Sequence, residues 1–166
     1  MTDQPSNSAL LPRIGQGFDA HQIEKGKPCH IACLEFPGDD GCEGHSDGDV
    51  VAHAIVDALL AAAGLGDLGS FCGVGRKEYE GASGLRLVGE CVALLADHGF
   101  AVGNVSVQLI ANTPKMGPRR DQAEKIIGRA LNAPVNIAAT TTDGMGFTGE
   151  GTGRAAIATA LVYRGN

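Results

Sequence analysis

Two short stretches concentrate the side chains that could do chemistry. GFDAH (17–21) places Asp19 and His21 two positions apart, and HSDGDVVAH (45–53) packs two histidines, two carboxylates and Ser46 into nine residues. Residues two apart on a strand project to the same side, so Asp19 and His21 point together. With His53 they supply a carboxylate and two imidazoles. That set suits Zn²⁺, with a fourth position left for water or substrate. Spacing alone also fits a strand-end Asp beside an unrelated surface His.

The rest of HSDGDVVAH reads as a helix start. Ser46 followed by Asp49 fits the S-x-x-D capping pattern. Val50, Val51, Ala54, Ile55, Ala58, Leu59 and Ala62 then recur with helical spacing. The spacing predicts a helix from near Asp47 to about Ala63, stopped by Gly64. His53 lies one turn after Asp49 and one turn before Asp57, so all three share a face. Asp49 reads as a cap. Asp57 fits a solvated face and a carboxylate orienting a ligating His equally well.

Other candidates are weaker. Cys29, Cys33 and Cys42 with His30 or His45 could bind zinc, but C-x3-C is a poor signal and these positions favour core packing. TTTD (140–143) could hold phosphate oxygens and Mg²⁺ or form a polar turn. In PKMGPRR (114–120), Arg119 and Arg120 stand at a helix start, where they oppose the dipole, which points to an anion patch with Lys115. GQGFDA (15–20) matches the dinucleotide fingerprint, but no helix pattern follows it. Its glycines fit a close backbone approach to a ligand or a neighbouring strand.

The elements that must position these groups follow in order. Arg13–Ile23 reads as a strand leading into a loop, and Cys29–Phe36 as a second short strand. PGDDGCEG (37–44) reads as a turn-rich loop. Residues 64–81 form a long Gly-rich loop. Helices are expected over Ser83–Asp97 and Pro118–Leu131. Strands are expected over Val105–Ala111, Val135–Thr140 and Ala155–Tyr163, with a polar turn over 140–153. This order predicts an α+β fold: one two-layer domain, a mixed β-sheet packed against helices, over residues 13–166. Residues 1–12 read as a disordered polar tail.

Composition narrows the function classes. At 43% apolar and 19% charged, the 166-residue chain can bury a core and is not a disordered segment. Net charge −6 argues against nucleic-acid binding. It also means that an anionic ligand must be met by metals, backbone N–H groups or a local basic patch. Met1–Leu11 lacks the apolar core of a secretory signal, no stretch suits a membrane span, and the five cysteines lack a disulfide-like spacing. A cytoplasmic protein with reduced thiols is expected.

GFDAH, HSDGDVVAH, GLGDLGSF, ANTPKM and ATTTDGMGFTG, in that order, resemble the 2-C-methyl-D-erythritol 2,4-cyclodiphosphate synthase family across residues 13–163. The resemblance implies a homotrimer with active sites between subunits. It implies conversion of 4-diphosphocytidyl-2-C-methyl-D-erythritol 2-phosphate to the cyclic diphosphate plus CMP, in the non-mevalonate isoprenoid pathway. Zn²⁺ would be held by Asp19, His21 and His53, next to the substrate. His45 and Ser46 would hold substrate, and His45 and Thr141 would act catalytically on the transition state. Asp67 and Gly69 would bind the erythritol part. Ala111, Asn112, Thr113, Pro114, Lys115, Met116 and Gly117 would form the cytidine and phosphate pocket. Thr140, Thr141, Thr142 and Asp143 would stand opposite, with Phe147 also at the substrate. Asp143 matches the family's usual Glu, which binds Mg²⁺ or Mn²⁺ across the substrate phosphates.

Two segments depart from the family pattern. In place of F-P-D-T-D-P, Phe71 is followed by Cys72, Gly73, Val74, Gly75, Arg76 and Lys77, without the usual carboxylates. Glu150 replaces the Arg of G-R-G-E-G, a residue associated with isoprenoid diphosphate binding in the trimer's central cavity. Such ligands are therefore expected to bind poorly here.

Overall fold

Strand β1 (Arg13–Ile31) turns directly into β2 (Leu34–Cys42), and the two pair antiparallel. The computed structural model describes residues 11–165, so most of the expected tail (1–12) lies outside the described residues. Helix α1 (Val50–Ala63), short helix α2 (Leu68–Cys72) and α3 (Gly84–Asp97) follow. Then come β3 (Phe100–Ile110), α4 (Arg120–Leu131), β4 (Val135–Thr140), the one-turn α5 (Gly146–Gly149) and β5 (Gly153–Arg164). The five strands form one mixed sheet in the order β2-β1-β5-β3-β4, with β3 and β4 parallel and the other pairs antiparallel.

The expected two-layer α+β domain is what forms. Helix α1 lies against β1 and β5 and is itself covered by α3, so twelve of its fourteen residues are buried. A helix apolar nearly all round fits that place. Helix α4 buries Ala123, Ile127 and Leu131, spaced by four, in the same layer. The opposite face of the sheet is open, and it exposes Ile14, Phe18 and Ile157.

Gly15 and Gly17 decide how close the layers come. A Cβ on Gly15 would lie 2.2 Å from the Ala58 carbonyl oxygen, and one on Gly17 would lie 2.1 Å from that of Ala54. The close approach is therefore to helix α1, not to a ligand or a strand. Gly15, Gly17, Asp19 and His21 share one side of β1, so this contact brings the helix down onto the strand that carries the two polar residues.

The structure corrects several sequence expectations. Strand β1 continues through the loop expected after Ile23, and the segment read as a second strand (Cys29–Phe36) contains a hairpin reversal at Ala32–Cys33. Both residues take positive φ, 55° and 60°, without a glycine. The Asp49 carboxylate accepts the N–H of Ala32 (2.8 Å) and of Cys33 (2.6 Å), which holds the reversal in place. PGDDGCEG is strand as far as Cys42, with its pairing to β1 broken by register shifts around Pro28. Asp49 is the N-cap of α1, as its reading as a cap expects, while Ser46 of the S-x-x-D pattern is not: the Asp49 side chain accepts from Val51 and Ala52 N–H. The 64–81 loop contains α2, begun by a reciprocal Asp67–Ser70 capping box. The 140–153 turn contains α5.

Candidate functional site

Asp19 and His21 reach inward from β1 to meet His53 from the second turn of α1. Asp19 Oδ2 lies 2.9 Å from His21 Nε2 and 2.9 Å from His53 Nδ1, and the two ring nitrogens are 3.1 Å apart. A tetrahedral zinc with ligands at about 2.0–2.1 Å separates its donor atoms by roughly 3.3 Å. The triangle is close to that size, and its three corners all carry lone pairs. Such a group is completed by a cation, and these residues fit Zn²⁺. His53 is 4% exposed, and its other nitrogen, Nε2, lies 2.6 Å from Ser46 Oγ. With Nδ1 facing the metal position, Nε2–H donates to Ser46, which fixes the tautomer and the ring plane.

The electrostatics match a cation site. Burial alone would raise the Asp19 carboxyl, but hydrogen bonds and charge from His21 and His53 hold it down at about 2. Burial lowers the His53 imidazole, yet the Asp19 hydrogen bond and charge, with the further pull of Asp49 and Asp47, raise it overall. A negative centre facing two imidazoles draws in a divalent ion once the proton leaves.

Each polar residue of HSDGDVVAH has a separate task. Ser46 orients His53. Asp47 accepts the Gly84 N–H (2.7 Å), tying in the start of α3. Asp49 caps α1 and holds the hairpin reversal. His45 Nε2 donates to the Arg76 carbonyl at 3.1 Å, so it tethers the altered 72–77 loop. Beyond that stretch, Asp57 accepts the Leu68 N–H (3.0 Å), placing α2 rather than orienting His53.

A hollow of about 210 Å³ opens beside the triangle, lined by Asp19, His21, His45, Ser46, His53 and Gly69 together with Leu68, Cys72, Gly73 and Val74. Asp67 stands next to it as the cap of α2. Cys72 and Val74 come from the altered loop; nothing in their local pattern marks them as lining residues.

A second hollow, of about 330 Å³, is lined by Ala111, Pro114, Lys115, Met116 and Gly117, by Ala139, Thr140 and Thr141, and by Pro118 and Arg120. Of the expected anion patch, Lys115 and Arg120 reach it, and the buried Arg120 Nε has no hydrogen-bond partner among the described residues. Arg119 turns away to the Glu35 carbonyl and the Phe36 ring. Thr113 and Asn112 point elsewhere: Asn112 donates to the Gly149 carbonyl (2.7 Å). Thr142 bonds Met145 and Thr148 within the α5 turn. Asp143 is exposed and accepts from Thr141 Oγ1 at 3.3 Å. Phe147 lines a third hollow with Gln22, Gly153 and His21, apart from the second.

Comparison with known proteins gives this arrangement its relatives. The YgbB family model matches residues 12–163. The chain belongs to the YgbB family. It is 49% identical over 94% of its length to a 2-C-methyl-D-erythritol 2,4-cyclodiphosphate synthase of Acidothermus cellulolyticus, covering 97% of that protein. It is 51% identical to one of Cutibacterium acnes, with 92% of each chain covered. Among solved structures, a synthase in its CDP-bound form superposes with a TM-score of 0.82 at 31% identity, over 90% of this chain and 99% of that one. A Plasmodium falciparum family member in complex with CDP gives 0.79 at 27%, over 93% and 97%. Within the family, then, a helix packed on a two-glycine strand presents the three candidate ligands in this chain.

Proposed function

We propose that the chain is a phosphorus–oxygen lyase that converts 4-diphosphocytidyl-2-C-methyl-D-erythritol 2-phosphate to 2-C-methyl-D-erythritol 2,4-cyclodiphosphate and CMP, in the cytoplasm, as a step of non-mevalonate isoprenoid synthesis. The observation that carries the reading is the convergent Asp19–His21–His53 triangle in a chain about half identical to named synthases.

The chemistry asks little of a general base. The 2-phosphate is largely dianionic near neutral pH. One of its oxygens forms a bond to the β-phosphorus. The bond from that phosphorus to the oxygen shared with the α-phosphate breaks, and CMP leaves with the electron pair. The obstacle is the approach of two anions in a chain of net charge −6. Zn²⁺ on Asp19, His21 and His53, and Mg²⁺ or Mn²⁺ on Asp143 and the substrate phosphates, would supply charge neutralisation and Lewis-acid polarisation. The His45 imidazole and Thr141 hydroxyl donate to phosphate oxygens as charge builds. Ser46 keeps His53 aligned and meets the substrate. Asp67 and Gly69 take the erythritol hydroxyls. Residues Ala111 to Gly117 receive cytidine and its phosphate, with Thr140, Thr142 and Phe147 bordering the bound substrate.

The active unit in this reading is a homotrimer. Two features support it. The metal-side hollow and the Ala111–Gly117 hollow share no lining residue within one chain, so a neighbour would supply the second half. The open sheet face also carries Phe18 directly across from Ile157, both exposed; a cross-strand apolar pair of that kind marks a contact surface.

The deciding experiment measures CMP release and product mass for wild type and His53→Ala. Wild type is expected to form the cyclic product. The variant should lose zinc and on the order of 100-fold or more in rate, since removing a ligand exceeds the effect of losing its orienting partner. Zinc-loaded wild type that releases no CMP would overturn the reading, and open-chain diphosphate would make water the nucleophile.

A further inference from the structure

Arg154 has the largest of the fully buried side chains, 1% exposed, at the start of β5. Among the described residues no carboxylate pairs with it. All of its nitrogens nevertheless have partners. Nε donates to the Thr113 carbonyl at 2.5 Å and Nη2 to the Thr113 hydroxyl at 3.2 Å, while Nη1 lies 3.3 Å from Cys42 Sγ. A guanidinium buried without a counter-ion carries a desolvation penalty that an apolar side chain of similar volume would avoid. Its return is geometric: a rigid fork that fixes a single residue by its backbone and its side chain together.

The fork lies where the chain most needs fixing. Strand β3 ends at Ile110, paired to Ala155 on β5; Ala111 N–H still donates to the Thr140 carbonyl of β4 at 3.1 Å, and residues 112–116 then run outside the sheet to the 3-10 turn at Gly117–Arg119. Arg154 stands on β5 one residue beyond that last pair and grips Thr113. From the other side, Asn112 grips the Gly149 carbonyl. The two contacts set the course of the turn that continues into Pro114, Lys115 and Met116, which line the second hollow. Arg154 itself does not line it.

We propose that Arg154 is a positioning residue for the nucleotide side of the site, acting through Thr113 to pre-form the Ala111–Gly117 turn. This rests on the reading that the turn receives the cytidine phosphate end of the substrate. Arg154 also pairs with His21 across β1 and β5, so the same position could instead serve the metal side. The two roles have different signatures.

The test uses the full-length protein, with Arg154→Met to remove the donors and Arg154→Lys to keep charge and length but lose the fork. CDP affinity, KM, kcat and zinc content are measured, together with amide hydrogen exchange over 111–117. For Arg154→Met, CDP binding should weaken and KM rise by about tenfold, the scale of losing a contact that supports a binding group. Zinc content should hold at wild type, kcat should change by less than about threefold, and exchange should speed up over 111–117. Arg154→Lys should fall between. If Arg154→Met does not fold, Arg154→Lys decides: wild-type CDP affinity and wild-type exchange in that variant would overturn the proposal. So would a fall in zinc or kcat at unchanged KM, which would assign Arg154 to the metal strand. Failure of wild type to bind CDP would instead refute the cytidine reading on which the proposal rests.

Discussion

Asp19 is the centre of the candidate metal site, because one carboxylate oxygen faces both imidazoles. Its folded pKa is about 2, below the 3.8 of a free Asp, so it stabilises the metal-free fold above about pH 4, a contribution lost as pH falls toward 2. The His53 pKa is raised, so its contribution is present below the ordinary 6.5 and is lost as pH rises through the folded value. Zinc needs neutral imidazole and so displaces that proton. Between a pH below 6.5 and one above the raised folded value, the metal-free protein should therefore lose stability while zinc affinity rises. Melting temperatures with and without chelator, and zinc competition at both pH values, check this; parallel trends would contradict it. Ser46→Ala removes the hydrogen-bond partner of His53 Nε2 and should weaken zinc by about 10- to 100-fold, the usual effect of losing a ligand's orienting contact. Metal competition against a chelating dye measures it. The three metal candidates were legible because strand parity and motif order both pointed to them. The Ser46 contact was not, since S-x-x-D reads equally as a cap. Arg154 was invisible, because nothing in GTGRAA says that its arginine is buried or what it grips.

Helix α1 owes its height above the sheet to two missing side chains. Gly17→Ala would place a Cβ 2.1 Å from the Ala54 carbonyl oxygen and 2.5 Å from the Ala58 nitrogen, atoms that cannot yield without moving the helix. Overpacking of this kind costs about 1–3 kcal/mol and lowers the melting temperature by about 2–4 °C per kcal/mol in a domain of this size. Because α1 carries His53 and β1 carries its partners, zinc affinity should fall with stability. Thermal melts paired with zinc titration check both, and a destabilised variant with intact zinc affinity would show that the site tolerates the shift. Helical periodicity gave α1, α3 and α4 from the sequence within a few residues, and apolar runs gave the later strands. The β1–β2 hairpin escaped because its reversal uses Ala32 and Cys33, which carry no turn signal. What stabilises them is a carboxylate far along the chain.

Assembly should matter more to turnover than to metal binding. The triangle is complete within one chain, whereas the two hollows are not continuous. Phe18→Glu places a charge in the middle of the exposed Phe18–Ile157 pair. If the proposed homotrimer is the active unit, the substitution is expected to drive it toward monomer, as read by sedimentation, and to abolish most CMP release while leaving zinc binding by each chain unchanged. A monomer with full activity would overturn the shared-site reading.

Asp49 has a consequence for how the chain reaches this state. Its carboxylate joins the α1 cap to amides 16 and 17 residues earlier, at Cys33 and Ala32. Neither left-handed residue is at ease without it, and the helix start lacks its cap unless this side chain is in place. The hairpin reversal and the helix start therefore support one another across the loop between them. Asp19, His21 and His53 ride on those same two pieces. The candidate metal site is thus carried by two pieces whose local structures depend on one another, so a divalent ion bound there would hold both together as a ligand of the folded chain alone.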